Sequence, residues 1–494
     1  MLAGLLLMLQ SVGPTIDTII IDNGNVFHRY DGAPRVVARL ANALHVPTRQ
    51  WVIRRSVLME PGDAYDEARI EETERALRNL GVFRFVDVDT ARPVPGGPLA
   101  LYVVTADGWS TQPQASYTRA GGDEAWELGF VERNFLGTAT EVALRFGKNP
   151  DRTRRDFQFV NPHFLGRRTA VMFRYGDLSD GRNSAWRFGL PFNETGARGA
   201  ADTYGESVRE RVLRFRDGVL LDSTERRLLR IGVTGGYAPH ATSREYVRLW
   251  FGAEWRREDF APQGTAPFPY STFVTGRVGV ELGRGRFRVL EQFNSYSRRE
   301  DVDLSPTLRL GAVIQGGVGY EVRLQTSAVW KRGFALLRAE ANGLDTARVQ
   351  ARVTVVSQNI PRHTLIAHVE WGGLYGPPPR PGTEFDLWLE QRGPRLFGVH
   401  DFTGDRMVWL ALEDRILVAE ELWGLLGAGL APFFDYGGAW YRDQAPRLGG
   451  NAGLALRFGP TRAVSGDAAE IAFGYRFGEG ADGWGITLRK GFVF

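Results

Sequence analysis

Cysteine is absent from all 494 residues, which excludes disulfides, thiolate metal sites and cysteine nucleophiles together. Lysine is reduced to Lys148, Lys331 and Lys490, so nearly every basic charge is an arginine. The net charge is only +4, and no basic run is long or aromatic-interleaved enough to argue for nucleic acid as a partner. No apolar run reaches the roughly 18 residues of a membrane-spanning helix. Gly-x-Ser-x-Gly, His-Glu-x-x-His and phosphate-loop patterns are missing too, so no enzyme is expected. The seven histidines are scattered. His363 and His368, five apart in a strand, fall on opposite faces, and His400-Asp401 reads as a loop hydrogen bond rather than an acid/base pair. Neither a metal nor a cofactor is expected.

What remains is glycine (60 residues), aromatics (12%) and alternation. From Pro113 onward, runs of about nine to eleven residues alternate between large apolar and small or charged side chains, separated by Gly, Asp, Asn and Pro, as transmembrane barrels require. Glu141–Phe146, Val247–Gly252, Arg277–Leu282 and Asn451–Phe458 are clear examples. In Ile471–Phe477, Ile471, Phe473, Tyr475 and Phe477 share one face, while Ala472, Gly474 and Arg476 share the other. Alternation alone also suits a soluble sandwich. The number of successive strands, with no helical layer to cover them, favours a closed barrel, which leaves no edge for lipid to satisfy. Roughly 380 residues at about 24 per strand and connection predict about sixteen antiparallel strands over 109–494. The segments Asn193–Thr203 and Ser207–Arg214 are less regular and read as turn and strand.

The N-terminal part has a different texture. Residues 1–13 carry the apolar run Leu2–Leu9 and a small-residue end, read as a signal segment, although a positive leader is missing and a short strand or helix is the alternative. Residues 14–108 then predict a strand (Thr15–Asn25), helices over Val36–Leu44 and Gln50–Met59, and a third helix capped by Asp66 and stopped by Gly81. Strands at Phe83–Val88 and Leu99–Val104 follow.

The most specific stretch is Arg392–Arg415, RGPRLFGVHDFTGDRMVWLALEDR, followed by Phe433-Phe434-Asp435-Tyr436-Gly437. Arginines on a loop and lone acids on apolar strands are costly unless they meet. These residues resemble the surface-antigen barrel of the Omp85 superfamily, outer-membrane assembly factors and secretion translocators. Phe402, Gly404, Asp405 and Arg406 match the family's segment after the tip of a loop that folds back into the lumen. Glu413 and Arg415, then Phe433, Asp435 and Gly437, match its strand motifs in order and spacing. At the tip, Arg392-Gly393 matches by dipeptide and Arg395 by spacing, so either arginine fills the family's position. The region from Gly62 to Phe83 is similar to a polypeptide-transport-associated (POTRA) domain, present once. The C-terminus, with Gly485, Gly491, Phe492 and Phe494, resembles the signal by which outer-membrane barrels are inserted, and its glycines suggest a weak last strand or simply relieve crowding beside the loop.

The resemblance implies a bacterial outer-membrane location with the N-terminal domain in the periplasm. Partners would be the lipid bilayer, β-rich client proteins and accessory periplasmic proteins. The function implied is insertion or translocation of clients through a seam between first and last strands. A dedicated secretion pore for one partner protein, or a passive or structural barrel, are the alternatives.

Overall fold

The computed structural model describes residues 14–27, 32–94, 96–120, 123–166, 168–261, 271–296, 298–377, 380–388, 392–464, 468–479 and 483–490. The signal-like segment 1–13 and the terminal Gly491, Phe492 and Phe494 lie outside them.

A small α/β unit comes first, with β1 (Thr18–Gly24), α1 (Arg35–Leu44), α2 (Gln50–Ser56), α3 (Glu67–Asn79), β2 (Phe83–Ala91) and β3 (Ala100–Asp107). β3 is the central strand, parallel to β1 and antiparallel to β2. Asp66 starts α3 by accepting the amides of Ala68 and Arg69, and α2 stops at Ser56, three residues before the expected Met59. Ile70 and Leu77 of α3 pack with Val52 and Ile53 of α2 over Leu101 and Val103 of β3.

The rest is one closed antiparallel barrel of twenty strands among the described residues, from β4 (Thr111–Ala120) to the last strand, Gly483–Lys490. The expected sixteen strands are therefore four too few. Tight hairpins explain the error. Asp217-Gly218 alone joins Gly199–Arg216 to Val219–Ala241, and Ser179-Asp180 alone joins Ala170–Leu178 to Gly181–Leu190. A strand with its connection thus takes about 19 residues on average across 111–490, not 24. Strand length varies more than expected as well, from 8 residues in Glu141–Lys148 to 23 in Val219–Ala241. The segment read as irregular, Asn193 to Arg214, contains most of one continuous 18-residue strand, Gly199–Arg216. The charged run Ser207–Arg214 is strand as read, while the stretch read as turn, Asn193–Thr203, already enters that strand at Gly199.

Alternation sorts the side chains as the pleat requires. Leu249, Phe251, Val274, Val278, Leu454, Phe473 and Ile486 are exposed on the outside, while their neighbours Trp250, Thr275, Ala455 and Ala472 are buried within the barrel. An exterior of this kind suits hydrocarbon, and closure satisfies the backbone polar groups. No helix among the described residues is long and apolar enough to cross a membrane.

At the barrel end that carries it, the α/β unit is docked on the rim. Asn134, in the turn after Asp123–Glu132, donates to Thr48 Oγ1 at 2.9 Å. Glu72 accepts both the amide and the hydroxyl of Thr195, each at 2.7 Å. Arg78 forks onto Asp301 at 2.6 and 2.8 Å, and Arg75 lies 3.6 Å above the Phe287 ring. Asp301 and Phe287 belong to a hairpin, Phe287–Leu290 with Glu300–Asp303, that leaves the wall and packs Leu290, Phe293 and Leu304 against Phe334, Leu336 and Ile366. This inner end is thus covered from outside by the unit and narrowed from within by the hairpin.

Candidate functional site

At the opposite, outer end, residues 376–405 connect the barrel strands His363–Tyr375 and Arg406–Leu422. Instead of standing free, the segment turns into the lumen. Phe385, Leu387, Phe397 and Phe402 bury themselves with Leu374, Met407 and Ala439 of the wall. Leu396 lies fully buried on Ala431, Ala455 and Ala472. Burying a Leu or Phe side chain is worth about 1.5–3 kcal/mol, so these residues draw the segment onto the wall before any charge is considered.

Arg395 crowns this contact. Its Nε donates to Asp435 Oδ2 at 2.7 Å and its Nη2 to Asp435 Oδ1 at 3.1 Å. Nη2 also reaches Glu413 Oε2 at 2.9 Å, and Nη1 reaches Glu470 Oε1 at 3.4 Å. The guanidinium lies 4.0 Å from the centre of the Phe433 ring. All four charged side chains are inaccessible to solvent. Asn451 stitches loop to wall, donating to Asp435 at 3.0 Å while accepting the Leu396 amide at 3.0 Å. Arg415 donates to Glu413 at 2.6 Å and also caps the carbonyl of Phe293 on the inward insert at 2.6 Å. With the buried Arg457 nearby, the cluster sets three arginines against three carboxylates, so charge is balanced in a dry site.

The remaining expected residues separate into distinct roles. Arg392 does not join the Arg395 cluster; it pairs with Glu370 at 2.8 Å, on a different part of the wall. Gly393 adopts φ +80°, a left-handed turn that lets the chain present Arg392 and Arg395 to different strands. Asp405 holds the segment's exit by accepting the amide and Nε of Arg442 at 2.9 and 2.8 Å. Beside it, a Cβ on Gly404 would fall 2.2 Å from the Trp440 backbone, a space only glycine leaves. Arg406 lies over the Tyr375 ring at 4.4 Å and takes no part in the cluster. Gly437 faces the lumen on the strand that carries Asp435. Gly485 faces Leu396, where an added Cβ would meet it at 3.4 Å, so crowding does not demand glycine there.

Glu470, Asn451, Arg457 and Glu370 were not singled out from sequence. Glu470 lies on the same face as Ala472 and Gly474, so a lone acid on a small-residue face was the available signal. Another surprise is His400. Its partners are not Asp401 but Asp386 at Nδ1 and Asp151 at Nε2, the latter 2.9 Å away, and its ring stacks on Phe215 with centroids 3.7 Å apart. Asp151 comes from the outer turn after Glu141–Lys148, so His400 ties the inward segment to a distant hairpin. Among the described residues, no group of three or more His, Asp or Glu is placed to hold a metal ion.

No family model and no curated protein sequence matches the chain. Among solved structures, CdiB from Escherichia coli is similar at 10% identity, covering 97% of this chain and 76% of that one, with a TM-score of 0.50. The likeness is one of fold. BamA from Haemophilus ducreyi lacking POTRA domains 1–3 is found at 11% identity and TM-score 0.40, covering 97% of this chain and 85% of that one. The FrpB iron transporter from Neisseria meningitidis is found at 9% identity and TM-score 0.36, covering 80% and 75%. What the fold shared with CdiB contributes is a large closed barrel with an N-terminal addition. The chemistry of the lumen belongs to this chain's own residues.

The seam that closes the barrel is its shortest described ladder. Only Ile486, Thr487 and Leu488 of the last strand pair with Arg119, Thr118 and Tyr117 of β4, against seven pairs in the next-shortest ladder, between Asp123–Glu132 and Glu141–Lys148.

Proposed function

We propose that the chain is a non-enzymatic bacterial outer-membrane barrel of Omp85 type acting as a dedicated translocation pore for a partner polypeptide. Its POTRA-like unit (14–108) would face the periplasm, and its lumen would be held shut at rest by the segment 376–405. The single observation that carries this reading is the four-residue buried contact of Arg395 with Asp435, Glu413 and Glu470, which fastens a removable segment inside the lumen. A passive pore has no use for such a fastening. The docked unit supports the reading too, since its edge strand β2 borders a groove of about 240 Å³ shared with Tyr296 and Arg298 of the insert, where an extended client strand could add.

The test is conductance of the purified chain in planar bilayers before and after deletion of 380–404. A closed parent and an open deletion variant support a gated pore. Equal steady conductance in both makes the barrel a passive one.

A second reading, insertion of β-rich clients into the membrane through the seam, is favoured by the three-pair ladder alone. Tyr117 and Leu488 are register partners, so the double variant Tyr117→Cys/Leu488→Cys locks the seam under oxidation. Loss of client assembly on locking supports insertion; undisturbed assembly leaves the pore.

A further inference from the structure

Along one side of the lumen the arginines are answered by acids, even where two arginines are register partners, as Arg230 with Arg256 and Arg309 with Arg323. Arg226 meets Glu258 at 2.9 Å and Glu210 at 3.5 Å, Arg277 meets Glu254 at 3.9 Å, and Arg309 meets Glu281 and Glu321 at 3.3 and 3.5 Å. On the strands Gly333–Gly343 and Ala347–Ser357 the pattern breaks. Arg338 and Arg352 are direct cross-strand partners on the lumen face, like charge opposite like charge. Such a pair is destabilising unless something stands between the charges. Among the described residues Arg338 donates to the neutral Gln325 alone, at 2.7 Å. Arg352 faces Glu370 across the next ladder, but that carboxylate is engaged by Arg392 at 2.8 Å. Asp303 and Glu370 act on the two arginines at longer range, and neither arginine forms an ion pair among the described residues.

Both arginines open onto a cavity of about 920 Å³, which Arg174 lines as well, again without an ion pair among the described residues. Phe293, Phe334 and Leu336 form an apolar part of the same lining. Hydrocarbon there lowers the local dielectric and strengthens whatever charge interaction the guanidinium groups make. Two planar forks side by side match the oxygen geometry of a tetrahedral oxyanion, which can accept bidentate hydrogen bonds from each.

We infer that Arg338 and Arg352 form an anion-binding site in the lumen, taking a small multivalent oxyanion of the phosphate class. The inference stands on the cross-strand arginines, which form no ion pair among the described residues, and on the cavity, and is independent of what passes through the barrel.

Titration calorimetry of the purified full chain in detergent, at constant ionic strength with pyrophosphate as probe, tests it. Saturable binding is expected, weakened at least about tenfold by Arg338→Gln or Arg352→Gln, since each removes one fork. Arg209→Gln, which alters an exposed arginine paired with Glu225, should bind as the parent does. If the glutamine variants do not fold, Arg352→Lys keeps the charge but loses the fork, and its affinity should fall several-fold. Absence of saturable binding by the parent overturns the inference, as does unchanged affinity in Arg352→Gln or Arg352→Lys. Binding of oligoglutamate without pyrophosphate also overturns it, and would make the pair a contact for acidic polypeptide instead.

Discussion

Two walls of the same barrel solve the problem of a charged interior in opposite ways. On the strands from Gly199 to Arg284, long side chains of both signs fill the lumen and neutralise one another in pairs such as Glu206 with Arg230, which keep part of their exposure to solvent. On the strands from Arg406 to Gly478 the inward face is built of small residues, among them Gly429, Ala431, Ala439, Gly453, Ala455 and Ala472. There the missing volume is supplied by the inward segment, and the few charges that remain are fully buried. The first wall is tolerant at such half-exposed pairs because water screens a pair that is lost. The second is intolerant because each buried charge depends on a partner.

Removing the carboxylate with the closest grip should show this contrast at its largest. Asp435→Ala leaves Arg395 in a dry site with only Glu413 and Glu470, and should cost about 3–5 kcal/mol. The expected readout is early loss of heat resistance and protease cleavage within 376–405. A variant as resistant as the parent would show that the segment is held by its apolar contacts alone.

Filling the small wall comes next. Ala455→Leu places extra methyl groups where Leu396 lies and should cost about 1–3 kcal/mol by overpacking, with the segment displaced and the wall intact. Cysteine accessibility at position 396 would report the displacement. An unreactive position 396 would mean the wall yields instead.

The His400 clasp provides a titration of the segment's outer attachment. Burial alone would lower its pKa, but the hydrogen bonds and charges of Asp151 and Asp386 outweigh burial and raise it from 6.5 to about 9. A folded-state pKa above the unfolded one means the charged form is stabilised by the fold. Its contribution is therefore complete below about pH 6.5 and lost as pH rises through about 9. Proteolysis at the segment's outer end should increase across that window in the parent and lose this pH dependence in His400→Gln. A parent whose cleavage rate is flat from about pH 7 to 10 would separate His400 from the hold on the segment.

The smallest effect is expected on the tolerant wall. Glu206→Gln, opposite Arg230 where both side chains keep a quarter or more of their exposure, should change stability by about 0–1 kcal/mol. A loss comparable to that of Asp435→Ala, measured by the same heat-resistance assay, would erase the distinction between the walls.

Much of the local structure was legible without coordinates. The third helix with its Asp66 cap, the outward Phe473 and Tyr475, and the pleat that turns Ala472 inward follow from side-chain period and capping chemistry, which act over a few residues. Asp435 stood out as an acid among apolar neighbours and Glu413 through its motif with Arg415, and a charge on such a strand demands a partner. Which partner was not legible. Arg392 and Arg395 are three residues apart and chemically alike, and their separation onto Glu370 and Asp435 depends on the turn at Gly393 and on the strands that the segment meets.

The number of strands was equally out of reach. Twenty rather than sixteen depends on hairpins as short as Asp217-Gly218, and one two-residue turn hidden in a charged, glycine-bearing stretch is enough to miscount. By itself, then, the sequence determined the alternating strands, the separate α/β beginning and the need for buried carboxylates to find cations, because those are properties of residues and their near neighbours. Only the closed barrel decided that Arg395 would find Asp435, Glu413 and Glu470, that His400 would reach Asp151, and that Arg338 would stand against Arg352. These contacts join residues up to 249 positions apart, and closure brings them together through strand register, to which no local pattern gives access.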